Sequence, residues 1–287
     1  MTQAPEEPLE LRLTLDEPFR GIELAYLDWR PQAPVRTVVC VHGLTRNAHD
    51  FDVLARELAR RGARVLAVDV VGRGRSSWLE DPSGYAMPTY VGQLGQWLAR
   101  LELDAVDWIG TSMGGLIGMA MAAGENPPIR RLVLNDIGPF VGRQALLQIK
   151  SYLQLEPRFA TMEEAESHLR FIHAPFGPLT DAQWRYLTYY SVVADGDGWR
   201  LHYDPAIKAP YAALAEDDVA LWELWDQIRC PTLVLHGWDS VILTAKTCAE
   251  MRERGPRAEV AHFVGVGHAP ALMSRDQILT IERWLEL

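Results

Sequence analysis

The sequence predicts an α/β fold: a mainly parallel eight-stranded sheet with helices on both faces, and a helical cap inserted between the sixth and seventh strands. Three observations predict it. Apolar, β-branched runs alternate with segments of helical periodicity through residues 1–136. Residues 137–215 are then helix-like and aromatic, with no strand of the same quality. The alternation resumes and closes in residues 216–287, so 1–136 and 216–287 read as one core domain and 137–215 as its cap.

Each element has its own signal. "LELRLTL" (Leu9 to Leu15) and "IELAYLDW" (Ile22 to Trp29) alternate as half-buried strands do, and Gly21 precedes the second. "TVVCV" (Thr37 to Val41) is a continuous β-branched run, as expected of a strand covered on both faces. "DFDVLARELARRG" (Asp50 to Gly62) has helical spacing and a glycine stop. "RVLAVDVVG" (Arg64 to Gly72) is the next strand, "TYVGQLGQWLARL" (Thr89 to Leu101) a helix and "AVDWIG" (Ala105 to Gly110) a strand. A helix begins at or just after Ser112, and "RRLVLND" (Arg130 to Asp136) is the sixth strand. Beyond the cap come "CPTLVLHG" (Cys230 to Gly237), a helix over Thr244 to Arg254, "EVAHFVGVGH" (Glu259 to His268) and a closing helix from Gln277 to Leu285. The cap aromatics, among them Tyr152, Phe159, Phe171, Phe176, Trp184 and Tyr189, read mostly as packing and partly as the wall of an apolar pocket.

Composition narrows the function. A net charge of -10 and a pI near 5.3 disfavour nucleic acid and anionic membranes as partners. The N-terminal segment lacks the basic and apolar regions of a secretory signal, and no apolar run reaches the roughly 20 residues of a membrane span. Three cysteines, Cys40, Cys230 and Cys248, do not make a disulfide framework, and the expectation is a reducing, cytoplasmic protein. Metal-ligand spacings such as C-x-x-C and H-E-x-x-H are absent, and "GRGRSS" (Gly72 to Ser77) fits neither phosphate-loop nor dinucleotide spacing. No cofactor and no metal are expected. Oligomeric state is left open.

The chemistry centres on "WIGTSMGGLIG" (Trp108 to Gly118). A serine between two glycines, placed between a strand and a helix, fits a sharp turn that lifts the Ser112 hydroxyl clear of the sheet beside a helix N-terminus. Such a hydroxyl needs a base. His268, in "VGVGHAP" after the last strand, reaches the same edge of the sheet. His42, in "VHGLTRN", reads as a residue that shapes its loop, so that the Leu44 and Met113 N–H groups form an oxyanion-stabilising pair.

The order of the "HGLTRN" loop, the "GTSMGG" turn and the "GH" loop resembles the α/β-hydrolase superfamily, from about Leu9 to Leu285. "DVVGRGRS" and "LVLNDIGP" are similar to its ester-hydrolase branch, which includes carboxylesterases and hydroxyalkanoate-ester hydrolases. The resemblance implies Ser112 as nucleophile, His268 as base and Leu44 and Met113 as oxyanion donors. It also exposes a departure. The family carries an acid three or four residues beyond the glycine of the strand here reading "TLVLHG", and those positions hold Ser240 and Val241. Asp239, one residue early, is the first choice for the acid. Asp136, at the end of the sixth strand, is the alternative, because some family members carry the acid there. Arg46 is a candidate anchor for a substrate carboxylate, against an ordinary structural arginine.

These readings converge on a serine hydrolase that cleaves a small carboxylic ester through an acyl-enzyme. Lactone opening or C–C bond hydrolysis on the same fold is the alternative chemistry. A non-catalytic ligand-binding protein is the alternative class.

Overall fold

The computed structural model describes residues 7–210 and 217–287. Its centre is an eight-stranded sheet: β1 (Leu9–Thr14), β2 (Glu23–Trp29), β3 (Arg36–Val41), β4 (Ala63–Val68), β5 (Val106–Thr111), β6 (Ile129–Asn135), β7 (Thr232–Gly237) and β8 (Glu259–Phe263). The spatial order is β1-β2-β4-β3-β5-β6-β7-β8. Only the β1–β2 and β2–β4 pairings are antiparallel. All the others are parallel.

Helices cover both faces because the parallel strands are apolar on both sides. α1 (Asp52–Arg60) and the C-terminal helix Arg275–Leu285 bury Leu54, Leu58, Ile281 and Leu285 against Val38, Cys40, Ile109 and Val133. α2 (Met87–Arg100) and α3 (Met113–Ala122) bury Leu94, Trp97 and Ile117 against Val39, Leu66, Trp108 and Leu132 on the other face. Cys40 is fully buried in a strand, and all three cysteines are free thiols. The strand order runs outward from β3 in both directions. The C-terminal ends of β3, β5, β6 and β7 therefore share one edge, where α/β sheets place their sites.

The segment between β6 and β7 departs in part from the all-helical expectation. It holds α4 (Arg143–Leu153), α5 (Met162–Ile172) and α6 (Asp181–Ser191), as its periodicity suggests. It also holds a small antiparallel sheet of Arg158–Phe159, Val192–Asp195 and Gly198–Leu201. The hairpin at its centre turns at Gly196, whose φ of 61° a side chain would strain. Asp-Gly between two β-prone runs is a recognised hairpin signal, and the helical reading of "VVADGDGWRL" overlooked it. A second pairing, Phe140–Val141 with Val219–Ala220, ties the two ends of the segment together beyond residue 215.

α6 is pinned to the core. Its N-terminus carries a capping box between Thr180 and Gln183. Towards its other end the Tyr186 hydroxyl donates to Asp52, Tyr190 stacks on His49 at 3.6 Å, and Asn47 Nδ2 donates to the Tyr190 carbonyl at 2.8 Å. Among the described residues, no helix is long and apolar enough to cross a membrane.

Candidate active site

Ser112 joins β5 to α3 with φ 50° and ψ -112°, a strained conformation for a residue with a side chain. Its flanking glycines make that turn possible. A Cβ on Gly110 would lie 2.3 Å from the Gly114 carbonyl carbon, and one on Gly114 would lie 2.0 Å from the Val41 oxygen. No side chain fits at either position. The turn lifts the Ser112 hydroxyl to the sheet edge.

There it meets His268, whose Nε2 lies 3.0 Å from Ser112 Oγ. The loop that carries His268 is held from three directions. The Asp239 N–H donates to the Val266 carbonyl at 2.9 Å. The Gly267 N–H donates to the Pro175 carbonyl at 2.7 Å. Asn135 Nδ2 donates to the Pro270 carbonyl at 2.9 Å.

The carboxylate against His268 is Asp136, which corrects the first choice made from sequence. Asp136 Oδ2 lies 2.8 Å from His268 Nδ1. Asp239 is exposed, and its amide is spent on Val266. The physical reason is local. Asp136 leaves β6 with φ 55°, its N–H donates to the Leu235 carbonyl at 2.8 Å, and its side chain is fully buried. Two further donors converge on the carboxylate: the Gly237 N–H on Oδ1 at 2.9 Å and the Ser240 hydroxyl on Oδ2 at 2.5 Å. Ser240 thus occupies the position expected to carry the acid and supports the displaced one. Because Asp136 accepts at Nδ1, that nitrogen carries the proton. Nε2 is left free to accept from Ser112.

The neighbouring loop aims its backbone by a similar device. The Val70 N–H donates to His42 Nε2 at 2.9 Å, so the His42 proton sits on Nδ1 and donates to the Gly43 carbonyl at 2.7 Å. In a trans peptide the carbonyl and the next N–H point in opposite directions. Holding the Gly43 oxygen towards His42 therefore turns the Leu44 N–H the other way. Burial, reinforced by the Arg73 and Arg46 charges, lowers the His42 pKa to about 3, which keeps the ring neutral and this tautomer fixed. The Met113 N–H is the first of α3. Neither the Leu44 nor the Met113 amide donates to an acceptor among the described residues.

Arg46 reads differently in three dimensions. Its guanidinium grips Asp50 through Nε (2.9 Å) and Nη2 (2.6 Å), and Nη1 donates to Ser191 Oγ at 2.8 Å. Its charge is already compensated, and it bridges the core loop to the end of α6. The i,i+4 spacing of Arg46 and Asp50 was visible in the sequence.

Ser112 and His268 open into a cavity of about 560 Å³, walled by Leu44, Tyr152, Phe176 and Leu187 among mainly apolar side chains. Of the aromatics between β6 and β7, Tyr152 and Phe176 line it, Phe159 and Trp184 are buried, and Phe171 and Tyr189 are exposed. His173 also lines the cavity, and burial lowers its pKa well below the usual range. Among the described residues no cluster of three His, Cys, Asp or Glu side chains could hold a metal ion.

Comparisons with known proteins agree with this architecture. A 3-hydroxybutyrate-oligomer hydrolase of Cupriavidus necator is 43% identical over 264 residues, covering 89% of this chain and 90% of its own. An esterase of Mycobacterium tuberculosis is 29% identical over 251 residues, covering 84% and 78%. The crystal structure of an alpha/beta hydrolase from Novosphingobium aromaticivorans superposes with a TM-score of 0.87 at 33% identity, covering 98% of each chain. Residues 36–272 match the alpha/beta hydrolase fold family. On that match, and with a relative 43% identical along nine-tenths of its length, the chain belongs to the alpha/beta hydrolase fold family.

Proposed function

We propose that the chain is a serine hydrolase of short carboxylic esters, with Ser112 as nucleophile, His268 as base and Asp136 as the acid that orients it. One observation carries the reading: the hydrogen-bonded series Ser112 Oγ, His268 Nε2, His268 Nδ1 and Asp136 Oδ2, at 3.0 and 2.8 Å, opening on a mainly apolar cavity. His268 takes the Ser112 proton as Oγ attacks the ester carbonyl. The developing oxyanion is received by the Leu44 and Met113 N–H groups, which are unspent and belong to residues that line the same cavity as Ser112. His268 then protonates the leaving alkoxide, and water, activated by the same imidazole, frees the acid and restores Ser112.

The substrate class we assign is an ester of short hydroxyalkanoate units. It is supported by the name of the 43%-identical relative and by a cavity of about 560 Å³, a size suited to small organic ligands. Residues between β6 and β7 act as the cap of this pocket, because Tyr152, Phe176 and Leu187 form part of its wall. The test is hydrolysis of 3-hydroxybutyrate dimer and trimer, and of p-nitrophenyl acetate, butyrate and octanoate, by wild type and Ser112→Ala. Turnover that vanishes in the variant, with fluorophosphonate labelling of wild type alone, is the expected result. Undiminished turnover in Ser112→Ala would overturn the nucleophile. Hydrolysis of the p-nitrophenyl esters without the oligomers would overturn the substrate class.

A further inference from the structure

"GRGRSS" contains a residue that the chemistry above leaves unused. Arg73 is completely buried. The glycines around it have φ of 81° and 52°, and a Cβ on Gly74 would lie 2.3 Å from Asp69 Oδ2, so the turn is tight and carries the arginine inward. A guanidinium keeps its charge inside proteins, and a buried charge normally meets a carboxylate. Arg73 forms an ion pair with no carboxylate among the described residues, and its acceptors are neutral. Nε donates to the Leu44 carbonyl at 2.8 Å, Nη1 to the Val71 carbonyl at 2.8 Å and to the Tyr90 hydroxyl at 2.9 Å. Nη2 reaches Met113 Sδ at 3.5 Å. The guanidinium also lies over the Tyr85 and Tyr90 rings, 5.7 and 5.1 Å from their centroids.

Two of these contacts fall on Leu44 and Met113, the residues whose amides are assigned above to the oxyanion. Arg73 holds the peptide that follows Leu44, while His42 holds the one before it, so Leu44 is fixed on both sides. It also rests against the side chain of Met113. Its positive charge lacks an anionic partner in a water-poor region, so its field is weakly screened where negative charge would develop.

We propose that Arg73 is a positioning residue of the oxyanion hole: its buried, carboxylate-free guanidinium locks the Leu44 backbone and adds positive potential behind the Leu44 and Met113 amides. This rests on the serine-hydrolase reading, and fluorophosphonate labelling of wild type at Ser112 tests that reading separately. Arg73 is not in the cavity wall, so its removal should change turnover and leave ground-state binding in place.

The experiment compares wild type, Arg73→Met and Arg73→Lys with p-nitrophenyl butyrate, with circular dichroism on each variant. Phenylboronic acid serves as a tetrahedral-adduct analogue and butyramide as a ground-state one. Arg73→Met should lower kcat about 10- to 100-fold, with KM within about two-fold. Its phenylboronate Ki should rise by a similar factor while the butyramide Ki stays put. Arg73→Lys, which keeps the charge and one donor, should recover most of the loss. Should the methionine variant not fold, Arg73→Gln takes its place with the same expectations. Unchanged kcat, equal weakening of both inhibitors, or a lysine variant as impaired as the neutral one would each overturn the proposal.

Discussion

The carboxylate of Asp136 and the imidazole of His268 stand 132 residues apart in the chain and 2.8 Å apart in space, with Ser240 Oγ as a second donor to the same oxygen. Asp239, one residue from Ser240, is exposed. Replacing each aspartate separates the two. Asp136→Asn should lower kcat by about 10⁴-fold, because the amide presents a donor to Nδ1 and favours the wrong tautomer. Asp239→Asn should stay within about two-fold of wild type. Steady-state kinetics on p-nitrophenyl butyrate decide it, and comparable losses in both variants would refute the assignment.

Ser240 has a smaller, separable effect. Its hydroxyl makes one hydrogen bond to the carboxylate at 2.5 Å and accepts from the Ile242 and Leu243 N–H groups at 3.2 and 3.1 Å. Ser240→Ala removes one of three donors to Asp136. A hydrogen bond to a charged group is worth about 1.5–3 kcal/mol at most, and water can replace part of it in a half-buried site. The expected outcome is a kcat loss of about 3- to 10-fold with KM unchanged, and a KM effect without a kcat effect would contradict it.

Arg46→Ala should behave as the loss of a strut. The ion pair with Asp50 is largely buried, and Ser191 loses its donor. Breaking such a pair costs about 3 kcal/mol. Urea denaturation should register that loss. KM for neutral and acidic esters should rise by the same factor, because the guanidinium is already neutralised by Asp50. Selective loss of acidic esters would restore the substrate-anchor reading.

Acid should destabilise the fold through its buried histidines. His42 has a folded pKa of about 3 against 6.5 for an exposed imidazole, and that of His173 is lowered too. Below pH 6.5 the unfolded chain binds protons that the folded chain refuses. The His42 contribution is therefore constant above pH 6.5 and is lost as pH falls from 6.5 towards 3, by at most about 1.4 kcal/mol per unit. Urea midpoints at pH 7, 6 and 5 should decline. In His42→Asn the decline between pH 6 and 5 should be shallower from a lower starting stability, and an identical slope would contradict a neutral buried His42.

How much of this was legible follows from how far apart the interacting groups lie in sequence. The Ser112 turn is encoded within five residues, since Gly110 and Gly114 face backbone that admits no Cβ. The strands declared themselves locally, the outer ones through alternation and the central ones through continuous apolar runs. The carboxylate did not, because Asp136 and Ser240 meet only through the β6–β7 pairing that sets Asn135 beside Leu235. Loop spacing after β7 put Asp239 first and left Asp136 as the alternative, because it carries no information about which carboxylate the sheet brings to His268. Arg73 was passed over for the opposite reason. Its motif was read for its glycines, and no sequence pattern says that an arginine will be buried without a carboxylate.

Asp136 is also the point where the chain leaves the central sheet. The next residue, Ile137, already lines the cavity, and the chain returns to β7 only at Thr232. The carboxylate that holds His268 and a residue of the cavity wall are therefore one peptide bond apart at the exit. A graft that exchanges the intervening segment for that of another hydrolase has to keep Trp225 and Ile228 in the core on the β7 side. On the β6 side the splice must preserve the left-handed turn at Asp136, or a new specificity arrives with a misaligned imidazole.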